Sequence, residues 1–292
     1  MLTTAYLYAV LLQVLFLRTV ISVPATLVER SLHDKRAVPP VTFSDFLAGV
    51  VVDAPSSDKI TVVTSRVVVP EPMLPFDSTG QHGVAAYVGI TGVGCTNKLL
   101  AGMTFGVSSP GTVTVRGEAQ HYIPFEARSL ITLLSAFYSW SPDFSGFIHF
   151  TNEEMPISPG DTLELTLTMG TIATDPNVAN IRIFNAVLNK AVVKTISSPV
   201  ARTCVPTRAE WIIEDFVSGG VMVPLADFGT ITFFDTSATT GAGVLLQPSD
   251  LNSKILFDMK KNNQILTHTS VSTWTNTVDS SVTCEAQLSE QI

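Results

Sequence analysis

The stretch Leu163-Glu164-Leu165-Thr166-Leu167-Thr168-Met169 decides the fold class, because apolar and polar residues alternate strictly along it. A period of two places every second side chain on the same face of an extended strand. Residues 181–187 alternate in the same way, and further β-forming runs at 50–52, 60–69, 230–234 and 264–271 predict strands. Turn residues fall about every eight to twelve positions between such runs. This spacing predicts an all-β protein with one antiparallel double-sheet sandwich of the jelly-roll-like kind.

The composition of the 292-residue chain agrees with this fold and excludes several functions. The chain contains 34 Val, 34 Thr and 26 Ser, whereas only 14% of its residues are charged. Such β-forming residues exclude a long helical bundle, and the 46% hydrophobic content excludes intrinsic disorder. A net charge of −8 without a basic stripe argues against nucleic-acid binding.

The N-terminal residues resemble a secretory leader. Residues 5–17 are almost wholly apolar, a length that suits the hydrophobic region of a signal peptide and is too short to span a bilayer. A buried N-terminal helix is the alternative. We predict a signal peptide at 1–22, a short pro-segment at 23–36 that ends in the dibasic Lys35-Arg36, and one folded domain at 37–292. This organisation predicts a secreted, extracellular protein without membrane contact after signal removal.

Cysteine and glycine usage predicts neither a metal nor a cofactor. Cys95, Cys204 and Cys284 lie far apart and form no Cys-x-x-Cys motif, so zinc is disfavoured. In an oxidising compartment three cysteines suggest one disulfide and one odd thiol, with all three pairings open. The glycine-rich stretch 89–94 lacks the Gly-Lys-Ser/Thr ending of a phosphate loop, and tight turns explain its glycines better.

Two segments do not follow the alternation. Residues 110–128 are irregular and predict a long loop. Residues 129–137 contain three leucines and one isoleucine in near succession, which is compatible with a short helix or with a buried strand. Periodicity does not decide between these two.

Four longer strings, in the order given below, resemble motifs of the eqolisins. These are glutamic peptidases, which are acid endopeptidases of filamentous fungi. The strings are Ala86-Tyr87-Val88-Gly89-Ile90-Thr91-Gly92 with Cys95, Ala136-Phe137-Tyr138-Ser139-Trp140-Ser141-Pro142 followed by Ile157-Ser158-Pro159-Gly160-Asp161, Ala209-Glu210-Trp211-Ile212-Ile213-Glu214-Asp215-Phe216, and Ala226-Asp227-Phe228-Gly229-Thr230-Ile231-Thr232-Phe233. The resemblance runs from about Ser44 to about Val271. It implies two long antiparallel sheets with a substrate groove, secretion, a removed pro-segment and activity at acid pH.

The family's catalytic dyad is replaced in this chain. The resemblance implies a Glu that draws a proton from water and a Gln whose amide orients that water and then hydrogen-bonds the oxyanion. The Glu position falls on Ser139. The Gln position falls on Ala101 when counted from Cys95, and on Leu100 when counted back from the following Gly and Phe.

The groove positions of the family are partly kept. The resemblance places its groove aromatics at Phe46 or Leu47, Tyr87, Tyr138 and Trp140. Two positions that carry Asp in the family are occupied here by Thr91 and Thr104. We therefore expect a groove that binds without the family's reaction.

These features predict a catalytically inactive, monomeric eqolisin-like protein that binds a peptide or another extracellular polymer in its groove, or acts as a decoy for peptidase inhibitors. A serine hydroxyl at position 139 cannot deprotonate water at acid pH. The alternative is an active acid endopeptidase with a relocated dyad. Its carboxylate would come from Glu126, Asp143 or Glu153, and its amide from Gln120.

Overall fold

Alternating residues divide between a core side and an outer side along nearly every strand of the protein. The computed structural model describes residues 40–55, 58–76, 78–95, 98–109, 131–141, 146–170, 177–197, 205–218, 220–249, 254–273 and 279–288. The strands in these ranges are β1 (Val41–Ser44), β2 (Leu47–Asp53), β3 (Ile60–Val68), β4 (Gln81–Thr91), β5 (Lys98–Ser108), β6 (Ile131–Ser141), β7 (Ile148–His149), β8 (Thr162–Met169), β9 (Val178–Asn185), β10 (Lys190–Ser197), β11 (Arg208–Glu214), β12 (Val217–Ser218), β13 (Val221–Met222), β14 (Thr230–Thr240), β15 (Leu245–Leu246), β16 (Lys254–Lys261), β17 (Gln264–Ile265), β18 (Thr267–Thr273) and β19 (Ser280–Ala286).

These strands form two large sheets that pack as a sandwich, which confirms the predicted fold class. The first sheet has the order β1-β16-β2-β11-β4-β5-β6-β7, with β17 paired to β16. The second sheet has the order β10-β9-β8-β3-β14-β19-β18, with β15 paired to β14. Neighbouring strands are antiparallel apart from β1 and β16, which run parallel. Strands β12 and β13 form a separate two-stranded ribbon.

One apolar core lies between the sheets and takes side chains from both of them. Trp211 of β11 is fully buried there, and its Nε1 donates a hydrogen bond to the carbonyl of Thr64 on β3 at 3.1 Å. An indole buried in a core needs such a partner for its N–H. This hydrogen bond links the first sheet directly to the second.

The predicted strands appear with small changes at their ends. Residues 181–187 were predicted as one strand, but β9 ends at Asn185, because a turn follows in which Asn189 has a φ of 51°. Residues 264–271 are divided into β17 and β18. The described part of the ambiguous segment 129–137 begins at residue 131 and lies in strand β6, not in a helix. Residues 1–36 and 110–128 lie outside the described residues, so the leader, the pro-segment and the long loop stay predictions.

The two sheets differ on the faces that point away from the core. The second sheet carries paired hydroxyls there, such as Thr64 with Ser237 at 2.8 Å and Thr232 with Thr283 at 3.1 Å. The first sheet carries a second apolar cluster, here called the outer-face cluster, made of Val51, Ala85, Tyr87, Leu100, Phe137 and Ile212. Each member of this cluster is at most 6% exposed, and further apolar side chains pack against it: Leu47, Phe147, Phe216, Ile255 and Phe257. Among the described residues, no helix is long and apolar enough to cross a membrane.

Candidate functional site

Ser139 shares a row of side chains with Leu100 and Glu210 on the outer face of the first sheet. In the register of β5 and β6, Leu100 lies directly opposite Ser139. Gly89 lies opposite Leu100, and Glu210 lies opposite Gly89. Directly opposed residues point to the same face of a sheet. The side chains of Ser139, Leu100 and Glu210 therefore all point away from the core.

Ala101 points to the other face. It pairs with Tyr138 and is fully buried in the core between the sheets. Leu100 is only 6% exposed but belongs to the outer-face cluster. Of the two positions considered for the family's Gln, Leu100 is thus the one that shares a face with Ser139.

The hydroxyl of Ser139 holds the chain segment that precedes β7. Its Oγ donates a hydrogen bond of 2.9 Å to the carbonyl of Gly146. Gly146 has a φ of 125°, a conformation that favours glycine. The next residue, Phe147, stacks on Phe137 with ring centroids 4.0 Å apart. A carbonyl acceptor supplies no base to activate the hydroxyl, so this contact suits a structural role and not a nucleophile.

Gly89 allows its two neighbours on the row to approach each other. A Cβ at this position would lie 2.9 Å from Leu100 Cδ2 and 3.3 Å from Glu210 Oε2. The space above Gly89 is therefore already filled by the side chains of Leu100 and Glu210. The prediction of a tight turn was wrong for Gly89, which lies within β4, whereas Gly94 does have the positive φ of a turn.

Glu210 is held by a threonine that stands where the family resemblance places an aspartate. The carboxylate is 8% exposed, and its Oε1 accepts a hydrogen bond of 2.6 Å from Thr91 Oγ1. A hydroxyl donor satisfies a buried carboxylate, whereas an aspartate there would add a second acceptor. Thr91 therefore supplies the hydrogen-bond donor that the buried Glu210 needs.

Tyr87 and Glu214 form a second hydrogen-bonded pair on the same face. The Tyr87 side chain is fully buried, and its hydroxyl donates to Glu214 Oε2 at 2.6 Å. Burial, reinforced by the charges of Glu214 and Glu210, raises the pKa of Tyr87 well above its ordinary value. Burial also raises the pKa of Glu214, although the Tyr87 hydrogen bond and the charge of Lys98 oppose that shift.

Asp215 follows on the chain and is almost completely buried, with 1% exposure. Its Oδ2 forms an ion pair with Lys261 of β16. Its Oδ1 has no hydrogen-bond partner among the described residues. Burial raises the pKa of Asp215, and the ion pair with Lys261 opposes that shift. The Lys261 ammonium therefore compensates only part of this buried charge.

A cleft of about 330 Å³ lies where β11 ends. One side is formed by the chain between β1 and β2, another by the segment before β7, and a third by the β12–β13 ribbon. Its lining residues are Phe46, Gly146, Phe147, Glu214, Asp215, Phe216, Val217 and Met222. The cleft is thus mostly apolar, with two carboxylate residues among its lining.

The structure separates the four predicted groove aromatics. Phe46, 43% exposed, lines the cleft, and Tyr87 belongs to the outer-face cluster. The prediction was wrong for Tyr138 and Trp140, which lie on the core face of β6, opposite to Ser139. Trp140 is fully buried, and the Tyr138 ring packs 5.3 Å from that of Phe150. Strand alternation is the reason, since neighbours of an outward residue point inward.

The proposed relocated dyad receives no geometric support from Glu153. Glu153 is exposed, and its carbonyl accepts a hydrogen bond from Lys190 of the second sheet, away from the outer face of the first. Gln120, Glu126 and Asp143 lie outside the described residues. Within the described part of the chain, no three His, Cys, Asp or Glu side chains converge as metal ligands would.

Two carboxylates and two aromatic rings of this face were not predicted from the sequence. Glu210, Glu214 and Phe216 belong to a family-like motif but had no predicted role, and Phe147 belongs to none of these motifs. The alternation in β11 was the available signal: Ala209, Trp211 and Ile213 are core residues, so the two glutamates must point outward. Phe147 carried no comparable signal, because its position depends on the Ser139 contact.

Comparisons with known proteins agree with the motif pattern. The model of the Peptidase A4 family matches residues 45–282. Aspergillopepsin-2 of Aspergillus niger is 35% identical over 141 residues, which cover 48% of this chain and 46% of that protein. Scytalidopepsin B of Scytalidium lignicola is 32% identical over 149 residues, which cover 47% of this chain and 51% of that protein. The chain therefore spans about half the length of these curated relatives.

A solved structure shares the fold over a longer region. Scytalido-glutamic peptidase, crystallised with a peptide-based transition-state analogue, superposes with a TM-score of 0.60 at 23% identity. The superposition covers 84% of this chain and 100% of that one. At this identity the similarity concerns the fold.

Proposed function

Because the chain belongs to the Peptidase A4 family, the eqolisins that its motifs resemble, we propose that it is a secreted peptide-binding member without the family's catalytic dyad. The observation that carries the proposal is the row formed by Ser139 and Leu100. These residues oppose each other on the outer face, where the family's Glu and Gln would have to meet. Neither side chain offers a carboxylate or an amide.

The size of the expected loss supports inactivity. Losing a general base typically costs about 10²–10⁴-fold in rate. Losing an oxyanion donor costs about 10²–10³-fold more. The hydroxyl hydrogen of Ser139 is already donated to the carbonyl of Gly146, so it is not free to orient a water molecule.

Retained binding is supported by the cleft at the end of β11. This cleft of about 330 Å³ is lined mostly by apolar residues and has room for a side chain. Scytalido-glutamic peptidase was crystallised with a peptide-based analogue. We propose that this chain holds peptides on the corresponding surface.

Secretion and the disulfide belong to the same proposal. The apolar leader and the dibasic pair at Lys35-Arg36 support export and processing. Cys284 is a free thiol buried in the core. A disulfide would therefore join Cys95 to Cys204, which lies outside the described residues.

Two measurements on the purified protein test the proposal. Hydrolysis of an acid-unfolded protein should be slower than by aspergillopepsin-2, the positive control, by about 10⁴-fold or more. Calorimetry should nevertheless detect binding of short peptides. Hydrolysis comparable to the control would show an active acid endopeptidase, and an absence of binding to every peptide would contradict the binding role.

A further inference from the structure

We infer that the outer face of the second sheet is a separate binding site for an uncharged polysaccharide with an extended, β-linked glucan chain. The inference goes beyond the proposed peptide binding, which concerns the first sheet. It depends on a row of side chains across four strands, on a β-bulge beside that row, and on the hydroxyls around it.

The row, here called the second-sheet row, consists of Phe184, Glu164, Arg66 and Phe234. Phe184 of β9 lies opposite Glu164 of β8, and Glu164 lies opposite Arg66 of β3. Arg66 in turn lies opposite Phe234 of β14. Phe233, the neighbour of Phe234 in sequence, belongs to the core, so the row points away from the core.

The row has an aromatic ring at each end and two opposite charges between them. Neighbouring strands lie about 4.7–4.9 Å apart, which places the strands of Phe184 and Phe234 about 14 Å from each other. A short, extended oligosaccharide can span such a distance. The row therefore suits several consecutive sugar units better than a single small molecule.

A β-bulge adds a second carboxylate to this face. The register of β14 with β3 shifts between Phe234 and Ser237. Asp235 lies in the bulge with a φ of 50°. The extra residue interrupts the alternation, and the Asp235 carboxylate forms an ion pair with Arg66 on the outer face. Two consecutive residues of β14 thus serve the same face, and a bulge or an unusual φ of this kind is frequent at functional sites.

The charges on this face are paired but accessible. Arg66 pairs with Asp235, and Arg182 lies 3.5 Å from Glu164. The four side chains are between 37% and 50% exposed. Exposed ion pairs contribute little to stability, so stability alone does not account for them. The balance of charges gives a charged ligand no advantage, whereas each group can still form strong hydrogen bonds to neutral hydroxyls.

Hydroxyl side chains surround the charged pair. A shallow depression of about 180 Å³ lies at Arg66 and Asp235, with Thr64 and Thr166 among its lining residues. Thr64 Oγ1 also lies 2.8 Å from Ser237 Oγ. A hydroxyl both donates and accepts, as the hydroxyls of a sugar do. The polar part of the face therefore matches a polyhydroxyl ligand.

The aromatic rings supply the apolar part of the site. Phe184 and Phe234 are both partly exposed. The guanidinium of Arg182 lies over the Phe184 ring, 4.8 Å from its centroid, whereas no cation covers Phe234 among the described contacts. An exposed ring offers a large apolar surface to the C–H groups of a sugar ring. Phe234 is therefore the main apolar platform of the site.

An extended peptide fits this face less well than a sugar chain. Peptides add to sheets by pairing their backbone groups with an edge strand. Strands β8, β3 and β14 are interior strands of the second sheet, and their backbone groups pair with neighbouring strands. The face thus offers side chains only, which leaves the amides of a peptide without partners.

Calorimetry of the purified protein with cellohexaose tests the inference. We expect saturable binding that Phe234→Ala weakens about fivefold or more, because the apolar platform is lost. Arg66→Gln should weaken it to a similar extent, since a charge-assisted donor is lost. Phe43→Ala, which removes an exposed ring from β1 of the first sheet, is the matched control and should leave binding unchanged. Hexagalacturonate, of similar length but charged, should bind more weakly than cellohexaose.

The urea midpoint of each variant shows whether it folds, and Arg66→Gln keeps the test valid if Phe234→Ala is unstable, because Arg66 is half-exposed. Absence of saturable cellohexaose binding, or binding that survives the substitution of both residues, would overturn the inference. Tighter binding of hexagalacturonate would also overturn it. Displacement of cellohexaose by short peptides would do the same, because the sugar would then occupy the peptide site of the first sheet. Peptide binding itself should be unaffected by Phe234→Ala, so the two sites can be tested separately.

Discussion

Placing an amide and a carboxylate on the outer face gives a direct test of the proposed loss of the dyad. The double variant Leu100→Gln with Ser139→Glu places both groups on opposed residues of the same face. The matched control is Ala101→Gln with Ser139→Glu, whose amide would point into the core. The two variants differ only in which face receives the amide.

The structure gives the expected magnitudes. A restored base and a restored oxyanion donor would together raise the rate by about 10⁴-fold or more over the parent. Leu100→Gln loses up to about 1.5–3 kcal/mol of apolar burial, part of which an amide hydrogen bond to the adjacent Glu210 offsets. Ala101→Gln overpacks the core at about 1–3 kcal/mol and buries an amide at about 1–3 kcal/mol more. The control should therefore be the less stable protein and gain no activity.

The assay is hydrolysis of an acid-unfolded protein at acid pH, with the free energy of unfolding of each variant measured in urea. Activity in the Leu100 variant alone would support the assignment of the dyad to positions 100 and 139. Activity in the Ala101 variant would refute it, since no outward-pointing amide would then be needed. If both variants fold and remain inactive, the idea of a preserved site is wrong.

Three further outcomes are expected. Ser139→Ala should lower the free energy of unfolding by about 0.5–1.5 kcal/mol, because the hydrogen bond to Gly146 is lost; an unchanged urea midpoint would contradict this. Burial raises the pKa of the Asp258 carboxyl in the folded protein above its value in the unfolded chain. The charged carboxylate, which prevails at neutral pH, therefore lowers the free energy of unfolding. Asp258→Asn should accordingly gain stability relative to the parent at neutral pH and lose that gain below the ordinary value of 3.8, as urea titrations would show. Burial raises the pKa of Cys284 to about 12, so a thiol reagent should label it only after unfolding.

The sequence could predict the strands because their side chains alternate, but it could not assign partners to them. Residues 163–169 show the period of two directly, and β8 follows it. In contrast, β5 is buried on both faces from Leu99 to Ser108, so the sequence of this strand hides which residues point outward. The choice between Leu100 and Ala101 arose there, and only the register with β6 shows that Leu100 shares the face of Ser139.

The site was predictable where it depends on one strand and unpredictable where it depends on several. Alternation from Ser139 would already have excluded Tyr138 and Trp140 from the outer face. The cleft, however, joins four separate segments, and its key contacts connect residues far apart in sequence, such as Tyr87 and Glu214. No local pattern encodes such a contact.

The hydrogen bond from Ser139 to Gly146 also bears on which substitutions at position 139 evolution can accept. A return of glutamate at position 139 would break this support at once, yet would yield no reaction until position 100 also carried an amide. The first of the two steps thus lowers stability with no functional gain. Selection that acts on single substitutions would therefore keep the serine at position 139.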